Sequence, residues 1–247
     1  MQRSLVGSEM CIRDRTYMTK EQILREAKAL QEEIKAHRLW LHTHAETGFD
    51  LTETKPYVKS ALTEMGYAVH ECGKAGLVTT VGKPGGKVLL LRADMDALPI
   101  AEEADVDFAC KNGRMHACGH DCHMAMQLGA ARILMDMLDQ LHGEVRLIFQ
   151  PAEEISIGAR DMIAAGALDG VDAIFGQHVW SEVDAGTFSA EPGSRMGNTD
   201  WFRIDIEGVS AHGSMPHKGL DAIVVACEIV DALQLLVSRR SSPFEPV

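Results

Sequence analysis

Residues 115 to 123, Met-His-Ala-Cys-Gly-His-Asp-Cys-His, bring three histidines, two cysteines and an aspartate into nine positions. A thiolate from Cys118 and an imidazole from His120 can both bind a divalent metal ion. Gly119 between them lets the backbone turn tightly enough to aim both. A redox or nucleophilic pair of Cys118 and Cys122 is the alternative, and its C-x-x-x-C spacing departs from the thioredoxin pattern. Glu153 and Glu154 form a second group. On a strand, adjacent side chains point to opposite faces, but in a loop at a strand end they can diverge around one pocket. One carboxylate could then bind metal while the other stays free to take a proton from water; a solvated acidic pair is the plainer reading. His178 directly follows an apolar run, where a ligand competes with a buried core histidine. Asp94 and Asp96 close another run and could orient ligating groups from behind. His37, His42 and His44, near the end of the first helix, read as surface or supporting groups.

Positioning these residues requires a scaffold that collects distant segments. LVTTVG and KVLLLRAD flank KPGG, which predicts a hairpin turn. KVLLLRAD is almost continuously apolar and ends in charge, as buried central strands do. EVRLIF running into QPAEE and VDAIFG running into QHVW repeat that grammar. Between them lie helical stretches at about 123–139 and 157–165. Ahead of them, Thr19 and Gln22 form a capping box before a helix with Ile23, Ala27, Leu30 and Ile34 on one face. A second helix is expected over 53–65, with Pro56 in its first turn and Gly66 past its end. Strand–helix alternation predicts an α/β fold, a central mixed sheet flanked by helices. Ligands of such sheets sit beyond the carboxyl ends of the strands. Asp94, Asp96, Glu153, Glu154 and His178 would all meet there.

The 247 residues leave room for more than one domain. Composition shifts near 186–200, after which DWFRIDIEG alternates like a strand and a long helix is expected at about 220–237. The expected organisation is a leader over 1–15 outside the fold, a catalytic domain over 16–188, and the first part of a lid or dimerisation domain over 189–247. Acidic residues outnumber basic ones by 36 to 24, a formal charge of −12, which argues against a nucleic-acid partner. No apolar run approaches about 18 uncharged residues, so no membrane span is expected. Six scattered cysteines form no compact disulfide framework, which fits a reduced, cytoplasmic protein.

Taken together, RADMDALPI, MHACGHDCH, FQPAEE, GQHVW and GVSAHGSMPHKGLDAI resemble the bacterial and plant metallo-amidohydrolases. These are relatives of hippurate hydrolase and of the enzymes that cleave indoleacetate–amino acid conjugates, within the larger aminoacylase and zinc-carboxypeptidase group. The likeness extends over residues 20 to 247. It implies Cys118, His120, Glu154 and His178 as ligands of two divalent metal ions, zinc or manganese, with cobalt or nickel as alternatives. Glu153 would be the catalytic base, and His212 would reach toward the substrate carbonyl or carboxylate. The implied substrate is an N-acyl amino acid, and the smaller domain would make a homodimer. The wider group has histidine-x-aspartate at the first strand end, where this chain reads Arg92-Ala93-Asp94. The family also has one more histidine ligand near the end of a longer chain, so C-terminal truncation is expected. Two rival readings are a metallo-aminopeptidase or dipeptidase and a non-catalytic metal-binding module.

Overall fold

The computed structural model describes residues 17–193, 196–197 and 200–241, so the leader expected over 1–15 lies outside the described residues. The chain divides into two compact units between Thr187 and Phe188.

In the first unit, α1 (Lys20–Ala29) begins at the expected capping box. The Thr19 hydroxyl accepts the Gln22 N–H, and the Gln22 side chain accepts the Thr19 N–H. A turn at Leu30 separates α1 from α2 (Gln31–Thr43), and α3 spans Thr54–Glu64. The helix expected from about 123 starts earlier, as α4 (His120–Asp136), and α5 is Gly158–Ala164. Five strands, β1 (His70–Cys72), β2 (Gly76–Gly82), β3 (Val88–Asp94), β4 (Glu144–Gln150) and β5 (Ala173–Gly176), form one mixed sheet in the order β1-β2-β4-β3-β5.

That order overturns the expected hairpin at KPGG. β4 lies between β2 and β3, antiparallel to the former and parallel to the latter. The 83–87 turn instead arches over the start of β4, where Lys83 N–H donates to the Gly143 carbonyl and Glu144 N–H to the Lys87 carbonyl. Glycine permits this crossing, because a Cβ on Gly82 would overlap the Gly143 carbonyl oxygen. β3 gains two parallel partners this way, β4 and β5, as its apolar run on both faces demands.

One sheet face packs Leu77, Ala93, Leu147 and Phe149 against Leu41, Leu62, Met124 and Leu128 of α2, α3 and α4. The opposite face packs Leu90 and Ile148 against Met162 and Ala167. The fold is thus a mixed sheet flanked by helices. β3, β4 and β5 run parallel and end together at Asp94, Gln150 and Gly176. Met95 N–H donates to the Gln150 carbonyl at 2.8 Å, which ties two of these exits to each other.

In the second unit, α6 (Ala222–Leu235) is capped by Asp221, whose carboxylate accepts the N–H groups of Ile223 and Val224. Residues 200–208 form no strand. A strand is defined by its ladder, and the nearest pairing is one bridge between Val209 and Leu220. No helix among the described residues is long and apolar enough to cross a membrane. Cys72, Cys110, Cys118, Cys122 and Cys227 are free thiols, and Cys11 lies outside the described residues.

Candidate metal centre

His120 occupies the first position of α4 and is completely buried. Its Nδ1 lies 2.7 Å from the Asp96 carbonyl, so Nδ1 carries the proton and donates. Nε2 is left as a lone pair with no hydrogen-bond partner. Around it stand Asp94 Oδ2 at 3.6 Å, Glu153 Oε2 at 3.8 Å and Glu154 Oε1 at 4.0 Å. Glu154 Oε1 is also buried without a hydrogen-bond partner. Leaving such groups unpaired in a dry site costs about 1–3 kcal/mol each. A shared cation would answer both.

Cys118 and His178 complete the cluster from two other segments, with Sγ 3.3 Å from His178 Nε2. Nδ1 of His178 donates to the Val179 carbonyl at 2.6 Å, which turns Nε2 toward the thiol. Ligand atoms of Cys118, His120 and His178 lie within 4.8 Å of one another. So do those of His120, Glu153 and Glu154, and those of Asp94, His120 and His123. His120 is the shared vertex. The first turn of α4 can sit this close to the 178–180 segment because residue 119 is glycine: its φ is +87°, and a Cβ there would overlap Val179 Cγ2.

The loop after β4 aims the two glutamates. Asp96 accepts the Glu153 N–H through Oδ1 at 2.8 Å and the Glu154 N–H through Oδ2 at 3.2 Å. Ala152 just before them holds φ at +52° and donates its N–H to the Gly48 carbonyl. Gly158 lets the loop close, since a Cβ there would overlap the Pro151 carbonyl oxygen.

Electrostatics follow from this crowding. Burial, then the carboxylates of Glu154, Glu153 and Asp94, push the Cys118 thiol up to about 12. Burial also raises Glu154, and Glu153, Asp96 and Asp94 add to it against the opposing His120. Burial works to raise Asp94 as well, but His123, His120 and Arg92 overcome it and hold the carboxyl down at about 2. Asp96 is raised by burial despite the two backbone N–H groups it accepts. Sulfur, imidazole and carboxylate donors packed at high negative charge around unpaired lone pairs fit a divalent cation, whose own charge would favour the thiolate.

The structure therefore brings together Cys118, His120, Glu153, Glu154 and His178, with Asp94 beside them and Asp96 behind the glutamates. His212 belongs to the second unit, where its Nδ1 accepts the Ser214 N–H at 3.2 Å. Sequence reasoning gave no role to His123, which the start of α4 puts one turn from His120 on the same face. It also set His42 at the surface or in support; it is buried, between Asp121 and Glu102.

Residues 90–243 match the family described as peptidase family M20/M25/M40, and the chain belongs to it. It is 42% identical over 234 residues to an N-acyl-L-amino acid amidohydrolase of Geobacillus stearothermophilus, matching 93% of this chain and 63% of the relative. It is 40% identical to thermostable carboxypeptidase 2 of Saccharolobus solfataricus, over 92% of this chain and 59% of the relative. Among solved structures, a dinuclear metal-binding peptidase of the M20 family from Bacillus subtilis superposes with a TM-score of 0.60 at 42% identity. That match covers 63% of this chain and 44% of the other. The chain thus spans less than two thirds of the length of these curated relatives.

Proposed function

We propose that the protein to which this chain belongs hydrolyses the amide bond of N-acyl amino acids. Cys118, His120, Glu154 and His178 would hold two divalent metal ions, zinc or manganese, with cobalt or nickel as alternatives. The observation that carries the reading is the pair of buried, unpartnered atoms His120 Nε2 and Glu154 Oε1 facing one cluster of donors. The names of the Geobacillus and Bacillus relatives support the substrate class and the metal number. When bound, the metals supply Lewis acidity and make water a stronger acid. Glu153, the more exposed of the two glutamates, takes a proton from the attacking water as its oxygen bonds to the carbonyl carbon. It returns that proton to the amide nitrogen as the C–N bond breaks, a role worth about 10²–10⁴-fold. His212 stabilises the oxyanion. The protein works in the cytoplasm as a homodimer joined through the lid domain, of which residues 189–247 are the first part, and binds neither nucleic acid nor membrane.

Glu153→Ala in the full-length protein should abolish turnover of N-acetyl and N-benzoyl amino acids while leaving metal content intact. Loss of metal in that variant would show that Glu153 and Glu154 have exchanged roles. The carboxypeptidase among the relatives supports a second reading, cleavage of dipeptides or short peptides. Faster turnover of dipeptides than of N-acyl amino acids would establish it. Stoichiometric metal without hydrolysis of either substrate would favour a non-catalytic module.

A further inference from the structure

His123 lies one helical turn beyond His120, is equally buried, and sits within ligand distance of it and of Asp94. Both its ring nitrogens are nevertheless engaged. Nε2 accepts the Val179 N–H at 3.0 Å, so the ring proton is on Nδ1, which donates to Asp94 Oδ1 at 2.6 Å. A ring held at both ends has no lone pair left for a metal ion. It does have a grip on the backbone next to His178.

That grip adds to a short set of other contacts on residues 177–180: Gln177 Nε2 donates to Met126 Sδ at 3.5 Å, the Trp180 carbonyl accepts the Val183 N–H, and the His178 ring meets the His123 ring edge-on at 4.5 Å. β5 leaves the sheet at Gly176, its last residue paired with β3. Beyond it the chain is exposed, and His178, Val179 and Trp180 run along the edge of the cluster. Val179 is the joint. Its N–H is taken by His123, its carbonyl accepts Nδ1 of His178, and its side chain packs against the bare Cα of Gly119. A continuous line of contacts therefore runs from Asp94 through His123 and the Val179 peptide to His178 and Cys118.

We infer that His123 is a positioning residue that fixes the His178 imidazole by holding the Val179 N–H, with Asp94 locking its tautomer. The inference rests on the reading of His178 as a metal ligand. It specifies which ring atom matters. His123→Gln can place an acceptor oxygen near the former Nε2, whereas His123→Asn can keep a donor toward Asp94 but cannot reach Val179.

Titration of the chain with Co²⁺, followed through the thiolate-to-cobalt absorption, gives the first readout. His123→Asn should weaken Co²⁺ binding by about 10–100-fold, the usual effect of losing a partner behind the ligands. His123→Gln should recover most of that loss. In a His178→Ala background, His123→Asn should change the affinity less than about twofold, because coupled residues do not add. Equal losses in the Asn and Gln variants, or additive losses with His178→Ala, would overturn the inference. A second readout needs no metal. The Val179 amide should exchange slowly with solvent in the unsubstituted chain and in His123→Gln, and quickly in His123→Asn. If neither the chain nor the full-length protein takes up Co²⁺, the proposed metal chemistry fails, and Val179 exchange alone decides the role of His123. Uniform exchange across the three proteins would refute that role.

Discussion

Gly119 carries two demands at one position. Its φ of +87° suits a residue without a Cβ, and the space a Cβ would need is filled by Val179. Gly119→Ala should therefore cost about 1–2 kcal/mol for the left-handed backbone alone. It should also push Val179 away from α4, taking His178 with it. Thermal denaturation would report the first effect and metal content after dialysis against Zn²⁺ the second; retention of full metal content would show that the 178–180 segment tolerates the displacement. At this scale much of the site is readable from residue types. Cys118, Gly119 and His120 announce themselves by spacing, and the paired glutamates by their place after an apolar run. What spacing does not reveal is direction. Nothing in the order of residues says that Asp96 accepts the Glu153 and Glu154 N–H groups, or that the His123 ring is used up by Asp94 and Val179. Those facts depend on where β3, β4 and β5 end relative to one another.

Helix α2 reaches the site indirectly, through His42. Nδ1 of His42 meets Asp121 Oδ2 at 2.8 Å and Nε2 meets Glu102 Oε1 at 3.0 Å, while Arg38 Nε lies 2.9 Å from the same Asp121 oxygen. Glu102 also accepts the Cys110 N–H, so one imidazole joins α2, the loop leading to residue 115, and the first turn of α4. The groups acting on this cluster are Arg38, Asp121, Glu102 and His116. Asp121, followed by Glu102, raises the His42 pKa above its ordinary 6.5 although burial opposes them. A raised histidine contributes stability that is complete below the unfolded pKa of about 6.5 and lost as pH climbs through the folded value. His42→Gln should therefore lower the melting temperature most at pH 6 and progressively less toward alkaline pH. A gap between the two proteins that stays constant from pH 6 to 10 would exclude the ion-paired imidazolium. His42 escaped sequence reasoning because its partners lie 60 and 79 residues away. The first three residues of α4 were also missed, since a left-handed glycine is an unusual helix entry with no capping side chain to signal it.

Across the whole molecule the two units differ in kind. The first has a core on both faces of its sheet. The second contains no buried residue among those described, and Trp201, Phe202, Ile223 and Val224 are exposed. Without buried apolar surface there is little to offset the entropy of ordering a chain. In the 247-residue chain, limited proteolysis should cut within 188–241 well before it cuts within 20–176. Equal rates of cleavage would show that the second unit gains stability from a source other than its own packing. The fold class was readable because apolar runs ending in charge mark central strands whatever their order. The strand at 200–208 was misread for the complementary reason: alternation records a side-chain pattern, and a ladder needs a second chain segment to pair with.

The insertion of β4 between β2 and β3 also constrains when the sheet can be built. During synthesis, β2 and β3 emerge from the ribosome side by side in sequence, yet β2 has only the three-residue β1 to pair with and β3 has no partner until β4, which lies between them, is complete at residue 150. The metal cluster, which depends on the exits of β3 and β4, inherits that delay. Ribosome-arrested chains with residue 140 just outside the tunnel should leave residues 76–94 open to protease, and chains with residue 187 outside should protect them. Protection already present at residue 140 would mean that a transient hairpin forms first and must reopen to admit β4.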